Sequence, residues 1–213
     1  MKLELSEITI EKIKNGELRE AVPELYELEE IIENNLSHSN ESTLTHILSV
    51  RKELELLLED VDKSIKSYLD LKIDSHSRKE LLLFASLFHD IAKKETIKKQ
   101  GDKSTFPGHE KASAEKVQKI LQRFALSDSE RDFVVRIIKH HGLLYDLPEG
   151  SDVDIERKVS EFKNEQLDIY IAVVLHTKAD LLANQLKYNN PEAFKLRLDF
   201  LNILIEDSCK IKA

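Results

Sequence analysis

Residues 81–93 set the strongest constraint in this 213-residue chain: Leu-Leu-Leu-Phe-Ala-Ser-Leu-Phe-His-Asp-Ile-Ala-Lys. Wound as a helix, the stretch is apolar on every side, which predicts a buried central helix. His89 and Asp90 stand as neighbours inside it. A buried imidazole and carboxylate are costly unless they are paired, hydrogen-bonded or bound to a metal. Partners for this pair must therefore converge from elsewhere in the chain.

The chain has only 5 glycines and 4 prolines to interrupt it, so long helices joined by short loops are expected. Ser77-Arg78-Lys79-Glu80 is a capping box, a hydroxyl three residues before a glutamate, and starts the central helix. That helix is expected to run to Lys93-Lys94, whose cations suit the negative end of the macrodipole. Apolar spacing predicts further helices over residues 7–14, 18–34, 43–60, 61–73 and 108–124. A second capping box, Ser127 to Glu130, opens a helix ending at His140-His141, with Gly142 as its stop. Others are expected over residues 153–162 and 167–184, and from Pro191, behind an Asn190 cap, to about 207. No strand pattern stands out, and 35–42 and 95–107 read as connections. The fold class is all-α, one compact helical bundle. Residues 1–40 are expected to form an N-terminal helical extension packed on a main domain of 41–213.

Charge narrows the function. With 40 acidic and 32 basic residues, the formal net charge of −8 argues against a nucleic-acid coat or a membrane-surface protein. Cys209 is the one cysteine, so neither a disulfide within the chain nor a thiolate zinc cluster can form. With no apolar signal core at the N-terminus and no apolar run of membrane-spanning length, a cytoplasmic setting is expected.

Eight histidines remain to be placed. His38 and His76 fall in polar connections and are expected to be solvated. His176, four residues before Asp180, shares its helix face and reads as a core histidine or a partner of that aspartate. The others form an ordered set: His46, His89-Asp90, His109, His140-His141 and, late, Asp180. Imidazoles and carboxylates on separate apolar helices make a ligand set for hard and borderline cations.

This order resembles the HD superfamily of metal-dependent phosphohydrolases. Leu87 to Lys93 is similar to the family's doublet segment, with Ala92 where glycine is usual. Phe106-Pro107-Gly108-His109-Glu110, with Ser113-Ala114, resembles a Gly-His-Glu signature of the tRNA nucleotidyltransferase and poly(A) polymerase-like group. Val22-Pro23-Glu24-Leu25, then Leu44-Thr45-His46, is similar to that group's lead-in, and Ala179-Asp180 to the closing aspartate. The resemblance spans about residues 20–185. Nothing ahead of His46 resembles a strand-rich catalytic head, so it implies the HD part alone and not nucleotide addition.

The resemblance implies a divalent metal held by His46, His89, Asp90 and Asp180. It also implies room for a second ion at His109, His140 and His141 with Asp90 bridging. The ions compatible with such ligands are Mn, Fe, Mg, Ni, Co and Zn. Asp90 and Lys93 are the expected catalytic residues. Lys93, Lys94 and Lys103, in a lysine-rich stretch after the doublet, are expected to bind an anionic substrate. The substrate expected is a small phosphorylated, nucleotide-like molecule; the charge does not indicate RNA, and no membrane is implied. The N-terminal residues could cover the domain or form a dimer surface. Two other readings stay open: a non-hydrolytic nucleotide- or RNA-binding module, and a di-iron oxygenase.

Overall fold

The computed structural model describes residues 2–145, 147–149 and 151–210. The chain enters through two short helices, α1 (Ile10–Lys14) and α2 (Pro23–Tyr26). The helix expected over residues 18–34 stops early. Past Tyr26 the backbone tightens into a 3-10 turn, Glu27–Glu30, and then extends as strand β1 (Ile32–Asn34). It turns back through Asn35–His38 and pairs antiparallel with β2 (Ser39–Ser42). These strands are three or four residues long and polar, too short to show the alternation that marks a half-buried strand.

Ser42 caps α3 (Thr43–Glu59), accepting from Thr45 N–H. After α4 (Lys63–Asp70), the Ser77 capping box forms as expected and starts α5 (Arg78–Ser86). Here the structure corrects the central-helix expectation. α5 ends at Ser86, because the chain changes to turns bonded three residues apart: Leu87 N–H to Phe84 O, Phe88 N–H to Ala85 O and Ile91 N–H to Phe88 O. The Ser86 carbonyl, which a continuing α-helix would offer to residue 90, accepts from His89 Nδ1 at 2.8 Å. His89 and Asp90 thus lie on a tight turn just beyond the helix.

Helix α6 (Lys93–Thr96) is a single turn. The lysine-rich connection then folds into a second hairpin, β3 (Lys98–Gln100) with β4 (Lys103–Thr105). Gly101, at φ 60°, takes the first position of its two-residue turn, where positive φ suits glycine. The two hairpins join through side chains: Asn34 N–H donates to Ser104 Oγ at 2.7 Å, and Asn34 Nδ2 to Asp102 O at 2.8 Å.

The rest is helical: α7 (His109–Ile120), α8 (Asp128–His140), α9 (Asp152–Glu165), α10 (Tyr170–Ala183), α11 (Leu186–Asn189) and α12 (Pro191–Lys210). The fold is an all-α bundle with two small two-stranded sheets. The helix buried along nearly its whole length is α10, packed mainly on α3 and α12. Behind the His89-Asp90 turn, Phe84, Phe88 and Phe124 meet with ring centroids 5.0 and 4.8 Å from Phe84. Full burial of one such ring contributes about 1.5–3 kcal/mol, which anchors the turn from its apolar side. No described helix is long and apolar enough to cross a membrane.

Candidate metal centre

Each functional side chain reaches the centre from a different element. His46 comes from the first turn of α3, His89 and Asp90 from the turn after α5, and His109 from the first residue of α7. His141 follows the last residue of α8, and Asp180 lies in the second half of α10. Gly108 makes the His109 position attainable, since its φ of 73° belongs to the left-handed region that favours glycine.

Three rings are oriented alike. His89 Nδ1 donates to Ser86 O at 2.8 Å, His109 Nδ1 to Phe106 O at 2.8 Å, and His141 Nδ1 to Ile138 O at 2.7 Å. A backbone carbonyl only accepts, so the proton of each neutral ring sits on Nδ1 and each Nε2 presents a lone pair. All three Nε2 atoms point at Asp90: His89 lies 3.0 Å from Oδ2, and His109 and His141 lie 3.2 and 3.6 Å from Oδ1. His109 Nε2 and His141 Nε2 are only 3.2 Å apart. His46 Nε2 completes the cluster, 3.1 Å from Asp180 Oδ1 and 3.6 Å from Asp90 Oδ2.

Lone pairs converging on a carboxylate repel one another unless a cation or protons stand between them. His89 Nε2 and Asp90 Oδ1, both buried, make no satisfactory hydrogen bond among the described residues. That is the environment a metal site provides for, with Nδ1 fixed on a carbonyl to orient the ligand nitrogen. His46, His89 and Asp90 form one group that could hold an ion, and Asp90, His109 and His141 form another. His38, Glu41 and His46 make a third such group, sharing His46 with the first.

Electrostatics without a metal follow the same geometry. Burial tends to raise the carboxyl of Asp90, but His89 and Lys93 hold it well below the usual carboxylate range. Asp180 is likewise held low, against burial, by His46. Burial pulls His89 and His109 down, yet Asp90 more than offsets it and both end raised. Burial dominates at His46 and His141, which are lowered.

Several residues sit elsewhere than the sequence suggested. His140 does not join the cluster: it is half-buried, with its ring 5.2 Å from that of Phe162. The next backbone step carries His141, not His140, inward. Lys93 is buried and committed, donating to both Glu33 oxygens at 3.0 and 2.8 Å and pairing with Asp90 Oδ2 at 2.8 Å. In turns bonded three residues apart, positions i and i+3 eclipse, which is why Lys93 meets Asp90 and not His89. Lys94 is exposed and pairs with Glu27, and Lys103 stands on the exposed side of β4. Neither lines the central cavity.

His38 and His76 are not solvated. His38 is buried against Glu33 and Glu41, with its ring 4.4 Å from that of His46. His76 Nδ1 contacts buried Glu130 at 3.0 Å. His176 is buried edge-on to His89 and His141, its ring 4.8 and 5.8 Å from theirs, and neither nitrogen has a hydrogen-bond partner among the described residues. Burial and these neighbouring imidazoles keep it neutral, so it fixes the two rings by packing.

Glu33 escaped the sequence reading because it lies in a stretch read as helix. It is buried and accepts from Thr43 Oγ1 at 2.8 Å as well as from Lys93. Helix α8 ends just ahead of Gly142 as expected, but the glycine has a further role. Its φ is not positive, and a Cβ there would lie 2.7 Å from Glu110 Oε1. The glycine makes room for the glutamate of the Gly-His-Glu segment.

The cluster floors a cavity of about 280 Å³. Residues 43–184, more than half of the chain, match the family model described as HD domain. No curated protein matches the chain.

Proposed function

As the chain belongs to the HD domain family, we propose that it is a metal-dependent phosphohydrolase, cleaving a phosphomonoester or phosphodiester of nucleotide-like kind by attack of water. The observation that carries this is the convergence of His89, His109 and His141 on Asp90, with every Nδ1 locked on a backbone carbonyl. We assign one divalent ion to His46, His89, Asp90 and Asp180, and a second to Asp90, His109 and His141. Such ions lower the pKa of bound water and stabilise charge on phosphoryl oxygens. The resemblance of the Phe106 to Glu110 segment to the tRNA nucleotidyltransferase-like group belongs to this reading and supports a nucleotide-like substrate.

The chain's own residues supply orientation and charge balance. Among the described residues lining the cavity, Glu33, Asp90, Glu110 and Asp180 face a single ammonium, Lys93. Lys93 is held between two carboxylates, with its pKa raised by Asp90 and Glu33 against burial, so it stays charged and cannot serve as a base. We assign it to positioning Asp90. The cavity is negative until cations enter, so an anionic substrate is bound through the metal ions and not through lysines. Glu33, fixed by Thr43, holds Lys93 in turn.

The test is a panel of phosphomonoesters and phosphodiesters with several divalent metals, run beside metal analysis of the purified protein. Asp90→Ala is expected to abolish both tight metal binding and turnover, and full activity in that variant sinks the proposal. Nucleotide binding without turnover in the native chain would mark a non-hydrolytic module. Iron with oxygen uptake would mark an oxygenase.

A further inference from the structure

Besides the metal ligands, the cavity lining includes a wall of side chains that carry no charge. Asn35 and Ser37 come from the β1–β2 turn, Tyr145 from the segment after α8, and Asn184 from the C-terminal cap of α10. Their hydrogen bonds can be counted. Asn184 Oδ1 accepts from Leu186 N–H at 2.9 Å, which fixes the amide so that Nδ2 donates to Tyr145 Oη at 2.8 Å. Tyr145 Oη and Ser37 Oγ lie 3.0 Å apart, and either can donate to the other.

Two hydroxyls joined by one bond have two protons and use one. Whichever donates, one O–H is left with no acceptor among the described residues. Asn35 repeats the pattern: its Oδ1 accepts from Ser37 and His38 N–H at 2.9 and 3.1 Å, and its Nδ2 has no partner among the described residues. Burial, then the charge of Asp180, push the Tyr145 phenol up to about 12, so it keeps its proton near neutral pH. Arg197 holds Tyr145 from behind, with Nε donating to its carbonyl at 2.9 Å and the guanidinium 4.8 Å from the ring centroid. The wall is therefore rigid and offers spare donors to a ligand.

We propose that Tyr145, Ser37 and Asn35 form the subsite for the alcohol part of the substrate, and that this part is a sugar or polyol whose oxygens accept from the wall. This rests on the phosphohydrolase reading. An alkyl or aryl alcohol would leave the donors unpaired, and a site built to hydrogen-bond oxygens discriminates against analogues that lack them. The cavity suits a molecule of that size: at about 280 Å³ it lies just under the range of drug-sized ligand sites.

The experiment compares ribose 5-phosphate with phenyl phosphate as substrates of the manganese-loaded native protein and of Tyr145→Phe and Ser37→Ala. The native protein is expected to prefer the sugar phosphate. Each variant should lower the ratio of kcat/KM between the two esters about tenfold, through KM for the sugar phosphate, as one hydrogen bond is worth. A loss equal on both esters would mean that Tyr145 acts only on the fold, and an unchanged ratio overturns the proposal. Should the native protein hydrolyse neither ester, the hydrolase reading fails, and calorimetric titration with ribose 5-phosphate still decides the subsite. Binding weakened by Tyr145→Phe upholds it, and absent or unaltered binding overturns it.

Discussion

His109 Nε2 and His141 Nε2 face each other across 3.2 Å, each with its Nδ1 proton committed to a backbone carbonyl. Two ring nitrogens at that distance, beside a buried carboxylate, need a cation or a proton between them, and a bound cation serves both at once. A metal that binds only the folded chain stabilises it by mass action, by about 4 kcal/mol at a thousandfold excess over Kd. For a domain of this size that corresponds to a rise of about 10 °C in Tm. Chelation followed by scanning calorimetry should show this drop, and returning manganese or zinc should reverse it. A Tm indifferent to chelator and metal would count against the site.

Lys93 gives the second prediction. Its ammonium lies between Glu33 and Asp90, 5% exposed. Removing one partner of a buried pair leaves uncompensated charge and typically costs about 3–5 kcal/mol. Lys93→Met should therefore destabilise the protein strongly in urea, and adding Glu33→Gln should recover part of the loss. A lysine that served only to grip substrate would behave otherwise, with stability nearly unchanged and KM raised. The double-mutant cycle separates the two roles.

Glu130 predicts the acid limb of stability. Its buried carboxylate accepts from Ser75, His76 and Ser127 N–H at 2.8, 2.7 and 2.9 Å. Burial tends to raise its pKa, but these donors and His76 outweigh it and the folded value is lowered. A group depressed on folding contributes stability that is full above its unfolded pKa and is lost as pH falls through the folded one. Native Tm should therefore fall below about pH 4.5, the ordinary glutamate value. Glu130→Gln should be less stable at pH 7 and show a flatter decline in acid. A parallel decline in both proteins would remove Glu130 as the cause.

Much of this architecture could be read from residue order. Both serine capping boxes, at Ser77 and Ser127, form where the pattern placed them, because a hydroxyl and a glutamate three residues apart act locally. The all-α class followed from apolar spacing in α3, α8 and α10. What could not be read depends on tertiary contacts. A helical pattern through His89-Asp90 gives no sign that Ser86 O will accept from an imidazole and end the helix. Glu33 and Lys93 are 60 positions apart, and neither position alone marks a buried ion pair. The strands of the two hairpins hold together by register and turn geometry, not by any apolar period.

The adjacent histidines yield the sharpest contrast. His140 and His141 are indistinguishable in sequence, but the end of α8 sends their rings to different places. His141 Nε2 faces Asp90, and its backbone carbonyl accepts from Thr177 Oγ1 at 2.9 Å, tying the ligand to α10. His140 rests against Phe162. With two ions bound to the native protein, His141→Ala should lose one of them, read as metal content per chain after dialysis, and with it most turnover. His140→Ala should keep native metal content and lose only its ring contact, about 1 kcal/mol in a urea titration. Equal metal loss in the two variants would show that the second ion draws on the doublet as a whole, and the assignment of His141 alone would have to be abandoned.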